Sequence, residues 1–305
     1  MTARMHAFVR SARFRQQGMA VIGALVVVAV ASVTAAAIVE RQSLLAETLA
    51  GERDRAQARW LLRGGLDWAR IILHSDARNN PVTLKNAIWA QPIAGLEISA
   101  PGQTRKAHFS GQIEDEQGKY NLWRLAVHGT VQPVELAILE RLIAVLGMPA
   151  SLAAAIAQRV AESQAGPSPQ QAPGLRVTGD LLGIEGMTLD MAATLSGYLT
   201  ILPQKTAINV NTASAEVLSA SVPGLDLPRA RGLTEQRDRG LWFNSRADFI
   251  NRLGDAEMVP AGQVAVNSDW FKVTGEVTLD HAAVGMQALL HRQGDRTPLI
   301  QWIED

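Results

Sequence analysis

The chain has 305 residues, 47% of them apolar, with 29 basic side chains against 29 acidic ones and no cysteine. That length gives room for one large domain or two ordinary ones. A net charge of zero argues against a general nucleic-acid binder, which needs a basic excess to displace counterions from phosphate, and the missing cysteines exclude disulfides, thiolate metal sites and cysteine nucleophiles.

From Met19 to Val39 run 21 residues without a charge. As a helix rising ~1.5 Å per residue they span roughly 30 Å, the hydrocarbon thickness of a bilayer, so the segment crosses a membrane once. Arg4, Arg10, Arg13 and Arg15 precede it with no acidic residue. That bias keeps the first residues cytoplasmic and places everything after Glu40 outside. Three readings fit the segment. A cleavable secretory signal would use Ala35, Ala36 and Ala37 as its small cleavage residues, although the apolar run exceeds the ~7–15 residues of such signals. A plain signal anchor is the second. The third rests on Arg15-Gln16-Gln17-Gly18-Met19, where a short basic leader and a glycine lead straight into the apolar run.

Beyond Val39 the residues Leu45, Leu49, Ala56, Trp60 and Ile71 return to one stripe at helical spacing. The pattern predicts a helix from Met19 to Leu73, about 80 Å long, its first half in lipid and its second half laid through that stripe on a folded head. Gly51, Gly64 and Gly65 predict local bends. Asp76 to Pro101 reads as loop with a short strand at Leu96–Ile98, and Lys106 to Leu125 as strand, turn, strand about Gly118. Pro133 opens two helices, Val134–Leu146 and Pro149–Ala161. The stretch Ser163–Gly174, rich in proline and glutamine, is a flexible surface loop. A short element at Leu181–Ile184 and a helix over Thr188–Leu199 follow, and then Thr206–Arg252 reads as wholly helical with short turns. At the end Phe271, Val273, Val277 and Leu279 alternate with Lys272, Thr274, Glu276 and Thr278, the period of a half-buried strand. Val284–Leu290 and Pro298–Ile303 add two more strands around the turn residues Gly294 and Asp295. The order of elements predicts an α+β head with a helical domain inserted into it.

The junction at Gly18-Met19 resembles the class III leader of type IV pilins and type II secretion pseudopilins. Two further stretches narrow the resemblance to the large minor pseudopilins of type II secretion, the K subunits. One is Asp115-Glu116-Gln117-Gly118-Lys119-Tyr120-Asn121-Leu122, departing from the family pattern at Trp123, where a second asparagine is common. The other is Thr206-Ala207-Ile208-Asn209-Val210-Asn211-Thr212-Ala213, followed by Glu216-Val217-Leu218. The resemblance covers the whole chain. It implies a fold with a pilin-like long helix on an antiparallel sheet and a large inserted all-α domain. The corresponding division is leader 1–18, membrane helix 19–39, periplasmic helix and early strands 40–132, helical insert 133–262 and closing strands 263–305. It also implies cleavage between Gly18 and Met19 by the prepilin peptidase, with Met19 then N-methylated, and a place in the inner membrane with the carboxy-terminal part periplasmic. Most pilin-class subunits carry a glutamate five residues into the mature chain; here that position is Gly23. The implied partners are the minor pseudopilins I and J and other type II secretion components. The implied place is the pseudopilus tip, and calcium enters as a cofactor of the helical domain with no ligands assigned.

Ile208–Ile250 also resembles a helix-hairpin-helix (SAM-like) module, which makes a membrane-anchored DNA-binding or uptake protein the alternative. The DNA-binding form offers glycine amides of its hairpin to a phosphate. Here the hairpin is Pro223-Gly224-Leu225-Asp226-Leu227-Pro228, with a carboxylate in place of the second glycine and a proline lacking its amide hydrogen. Lys205–Arg252 holds seven basic and five acidic residues, a weak steering field, so a scaffold role without nucleic acid is the expectation. Enzyme signals are missing. The histidines at 6, 74, 108, 128, 281 and 291 include no i, i+4 pair for a helical zinc site, and neither a phosphate loop nor a Gly-x-Ser-x-Gly elbow is present. Glu114, Asp115 and Glu116 form the one tight acidic cluster; it reads as a solvated turn or as hard oxygen ligands for calcium.

Overall fold

The structure, a computed structural model, describes residues 13–99, 106–164, 173–254, 259–280 and 282–304. Residues 1–12 of the expected leader, with Arg4, Arg10 and His6, lie outside the described residues, as does His281.

Helix α1 runs from Arg13 to Asn79, 67 residues without a break, or about 100 Å. It is longer at both ends than the expected Met19–Leu73. The bends expected at Gly51, Gly64 and Gly65 do not interrupt it. From Met19 to Val39 every residue is exposed in the isolated chain. The hydroxyls of Ser32 and Thr34 donate to the carbonyls of Val28 and Val30, so these two polar side chains are satisfied within the apolar run.

Five antiparallel strands form the sheet that α1 covers. They are β1 (Ile93–Ile98), β2 (Ala107–Asp115), β3 (Trp270–Leu279), β4 (Ala282–His291) and β5 (Leu299–Glu304), arranged in that order. Phe271, Val273, Val277 and Leu279 point into the core beneath α1, as their alternation predicts. The helix meets them with Ala58, Leu62, Leu66, Ala69 and Leu73, all buried. This face is opposite the expected stripe. Leu45, Leu49, Trp60 and Ile71 are 55%, 69%, 70% and 64% exposed, and Ala56 is exposed as well. The packed face runs through small side chains and the buried Asp54, which apolar periodicity does not reward. Close approach explains two glycines. A Cβ at Gly65 would stand 2.7 Å from the Phe109 ring, and one at Gly111 2.9 Å from the same ring.

β2 and β3 are neighbours, paired from Ala107↔Leu279 to Asp115↔Phe271, yet the chain between them makes a long helical excursion. That excursion contains α2 (Pro133–Val145), α3 (Ser151–Gln164), α4 (Leu189–Ser196), α5 (Ala215–Ser221), α6 (Leu227–Asp238) and α7 (Arg246–Leu253). Pro133 opens α2, where its missing amide hydrogen costs nothing. Ser214, Asp226 and Ser245 cap α5, α6 and α7 by accepting from the amides of Val217, Arg229 and Asp248. These helices surround a separate apolar core that includes Tyr120, Leu125, Leu139, Leu142, Val217 and Phe249.

Around Gly118 the expected order of strand, turn and strand is present: β2 runs into a 3-10 turn at Glu116–Gly118 and then into Tyr120–Asn121, which pairs in parallel with Leu199–Thr200. Thr206–Arg252 differs from expectation and is not wholly helical, since Ile208–Asn209 is extended and pairs in parallel with Val264–Ala265. In both places buried asparagines bond to backbone groups, a demand that helical periodicity does not register.

Candidate functional site

The chain leaves the sheet at Asp115 and returns at Trp270, and the side chains at this double crossing form one buried polar network. Asp115 Oδ1 accepts from the Gln117 amide at 2.8 Å. Its Oδ2 accepts from Ser268 Oγ and Thr212 Oγ1, both at 2.6 Å, and from Asn209 Nδ2 at 3.1 Å. Burial pushes the Asp115 carboxyl above the ordinary aspartate range, and the hydrogen bonds from Ser268, Thr212, Gln117 and Asn209 pull it back in part. Asn209 also donates to the Thr83 carbonyl at 3.1 Å and accepts from the Asn211 amide at 2.9 Å. Asn211 in turn bonds Phe243 through both its amide groups, each at 2.9 Å. Arg292 at the end of β4 donates to Thr83 Oγ1 at 2.8 Å, pairs with Asp76 of α1 and stacks on Phe271.

The two family-like stretches, about ninety residues apart in the chain, therefore interlock. Gly118 is where they touch: a Cβ there would lie 2.9 Å from Thr212 Oγ1 and 3.1 Å from its carbonyl carbon. Asn121 donates to the Gln204 carbonyl at 2.8 Å and accepts from the amides of Trp123 and Leu202. Tyr120 donates to Glu135 Oε2 at 3.0 Å, and burial followed by the Glu135 charge holds its hydroxyl well above the ordinary tyrosine range. Arg124 pairs with the same carboxylate at 2.7 Å and reaches the Thr206 carbonyl at 2.8 Å. Sequence reasoning picked out both stretches but missed their partners Thr83, Glu135, Ser268 and Arg292, which no local motif marks.

The acidic cluster is not a solvated turn. Asp115 and Glu116 are buried, and Glu116 accepts from Thr200 Oγ1 and pairs with Lys119 at 2.8 Å. Glu114 pairs with Lys119 at 3.2 Å and Lys272 at 3.0 Å. Burial pushes the Glu114 carboxyl up, but the two lysines outweigh it and leave it below the ordinary range. Glu114 and Glu116 thus share the lysines while Asp115 faces the neutral donors of the network, and among the described residues no group of three His, Asp or Glu side chains is placed to hold a metal. The cluster does not fit a calcium ion.

At the other end of the molecule, Gly18 and Met19 lie on the continuous run of α1, with Met19 77% exposed. Gly23 has nothing within 4 Å of where a Cβ would stand. At the Pro223–Pro228 hairpin, Gly224 takes a left-handed φ of 75°, and the Asp226 carboxylate accepts from the Arg229 amide at 2.8 Å. It occupies the helix end that a phosphate would need.

Residues 208–273 match the sequence profile of the family described as Type II secretion system (T2SS), protein K. Along its length the chain is similar to curated proteins of that description. It is 29% identical over 307 residues to the Pseudomonas aeruginosa protein, covering 92% of this chain and 90% of that one. It is 26% identical over 326 residues to the one from Pectobacterium carotovorum, covering 95% and 96%. Over nine-tenths of its length the chain is similar to type II secretion system protein K. Its fold is similar to a chain in the crystal structure of the GspK-GspI-GspJ complex from enterotoxigenic Escherichia coli, with a TM-score of 0.63 at 18% identity, covering 83% of this chain and 97% of that one. The K-family matched stretch begins at Ile208 and ends at Val273, so it contains the Asn209–Thr212 and Ser268 side of the polar network.

Proposed function

We propose that this chain is a minor pseudopilin of type II secretion, a structural and not an enzymatic component: a single-pass inner-membrane subunit that joins pseudopilins I and J at the tip of the periplasmic pseudopilus and starts or caps its assembly for the export of folded proteins. The observation that carries the reading is the division of α1: its Met19–Val39 run is apolar and exposed, and further along Ala58, Leu62, Leu66, Ala69 and Leu73 pack on the sheet while Leu45, Leu49, Trp60 and Ile71 stay exposed on the other side. The first half suits lipid and the membrane helices of neighbouring subunits. The exposed stripe of Leu45, Leu49 and Trp60 offers those neighbours a periplasmic contact. The helical insert adds bulk that favours the end of a filament over its body.

Processing belongs to the same reading. The prepilin peptidase cuts between Gly18 and Met19 and Met19 receives the methyl group, as the Arg15–Met19 junction supports. With Gly23 in place of a glutamate, the subunit supplies no carboxylate for a neighbour's terminal amine, which restricts it to the first position. Ile208–Ile250 acts as a helix-hairpin-helix-like scaffold that contacts protein and not nucleic acid, a role supported by the Asp226 cap on α6. The test is the terminal sequence and mass of the membrane-extracted protein, with and without the host's prepilin peptidase. A methylated Met19 terminus that appears only with the peptidase is expected; an intact Met1, or a terminus near Ile38, removes the pseudopilin processing scheme.

A further inference from the structure

The five-stranded sheet has two edges, and they are built differently. A free edge presents unpaired N–H and C=O groups that accept any extended chain, and folded proteins blunt such rows with bulges, charges or backbone kinks. β1 shows these devices. Its register breaks between Ile93 and Leu96, Gly95 stands at a left-handed φ of 60° with its amide given to Ser110 Oγ, and Glu97 is paired with Lys106. β5 has one register shift, opposite Leu289 and Leu290, but its run from Leu299 to Ile303 contains no charge. Leu299, Ile300 and Ile303 are 47%, 37% and 45% exposed. Among the described residues no strand lies on its outer side.

β5 is also held in place, through Trp302 and through the segment that precedes it. Trp302 packs with Leu202, Trp270 and Leu289 beside the insert. The segment before the strand is tied to α1, where Arg70 Nε donates to the Pro298 carbonyl at 2.9 Å and His74 Nε2 to the Asp295 carbonyl at 2.9 Å. A strand fixed beforehand loses little further entropy on pairing. Arg70 and His74 also orient the helix. At ~100° per residue, Leu45, Leu49 and Trp60 fall within about 80° of these two side chains, so the exposed stripe lies on the β5 side of α1. A subunit whose long helix packs along that stripe brings its own head beside β5.

We propose that the outer edge of β5 accepts an extended strand from the head of a neighbouring pilin-type subunit, so that the tip contact continues the sheet from one subunit into the next alongside the helix packing. The inference rests on the reading that this chain assembles with other pseudopilins. The pairing is made by main-chain hydrogen bonds, with Leu299, Ile300 and Ile303 offering apolar contacts to alternate side chains of the incoming strand.

The test is hydrogen exchange of the full-length protein in detergent, alone and with the minor pseudopilins I and J of the same secretion system. In the complex, the fast-exchanging amides of residues 299–304 slow by at least ~10-fold, while residues 93–98 exchange as before. The double variant Ile300→Lys, Ile303→Lys weakens the complex by ~10-fold with unfolding unchanged, and Leu96→Lys at the other edge leaves it intact. A complex that forms with residues 299–304 exchanging as in the free protein overturns the strand pairing and leaves the assembly reading standing. Protection that grows with concentration in the protein alone overturns it in favour of pairing between two copies of this chain. Failure of any complex to form overturns the pairing and the assembly reading together.

Discussion

Four neutral donors converge on the Asp115 carboxylate at the point where the chain leaves the sheet, and the titration of this one group reports on the junction. Burial raises its pKa and the hydrogen bonds offset only part of the rise. Between its ordinary value near ~4 and the raised one, the folded state keeps a proton that the unfolded chain has released. The group's contribution to stability is therefore largest at low pH and is lost as pH climbs through that window. Asp115→Asn cannot titrate. Urea unfolding of both proteins at several pH values should show the unsubstituted protein gaining on the variant as pH falls from neutral toward ~4. The opposite slope would mean that the donors outweigh burial. The residue types around Asp115 were visible in the sequence, since Asp115, Gly118, Asn209 and Thr212 all stand in the two family-like stretches. Their mutual contact was not, because a hydrogen bond across about ninety residues leaves no periodic trace.

At the scale of elements, periodicity succeeded where side-chain size and burial go together and failed where they do not. The closing strands appear within a residue or two of their expected positions, because Phe271, Val273, Val277 and Leu279 alternate with polar neighbours. The long helix was legible too, but its packed side was not. Leu45, Leu49, Ala56, Trp60 and Ile71 carry the larger apolar signal and face outward, whereas the buried side uses Ala58, Ala69 and Asp54 between its leucines. The two faces should respond differently to substitution. Leu66→Ala opens a cavity against the sheet and costs about 2–5 kcal/mol in unfolding free energy. Leu49→Ser, on the exposed face, changes stability by less than about 0.5 kcal/mol but lowers recovery of pseudopilins I and J with the affinity-purified protein. Equal losses of stability at the two positions would place the stripe in a core after all.

For the whole molecule, the decisive contrast is between an apolar helical run without a charge and the charged terminus that the proposed processing at Gly18 would create. If Met19 is the first residue after processing, its methylated amine lies at the head of an apolar run, and an unpaired charge held in hydrocarbon costs several kcal/mol. On the proposed reading, a subunit added beneath another would relieve that cost by presenting a carboxylate to the neighbour's amine; with glycine at position 23 this chain has none to give there. Space does not forbid one, since nothing stands within 4 Å of a Cβ at Gly23. Gly23→Glu should therefore let the subunit enter below the tip, raising its ratio to pseudopilins I and J in isolated pseudopili. The helical insert would work in the same direction by bulk, and the variant separates the two causes. A ratio that rises assigns the restriction to the missing charge. A ratio that stays at the unsubstituted level assigns it to the insert, because the membrane helix would then be competent to stack while the folded part above it still prevents a second subunit from being placed on top.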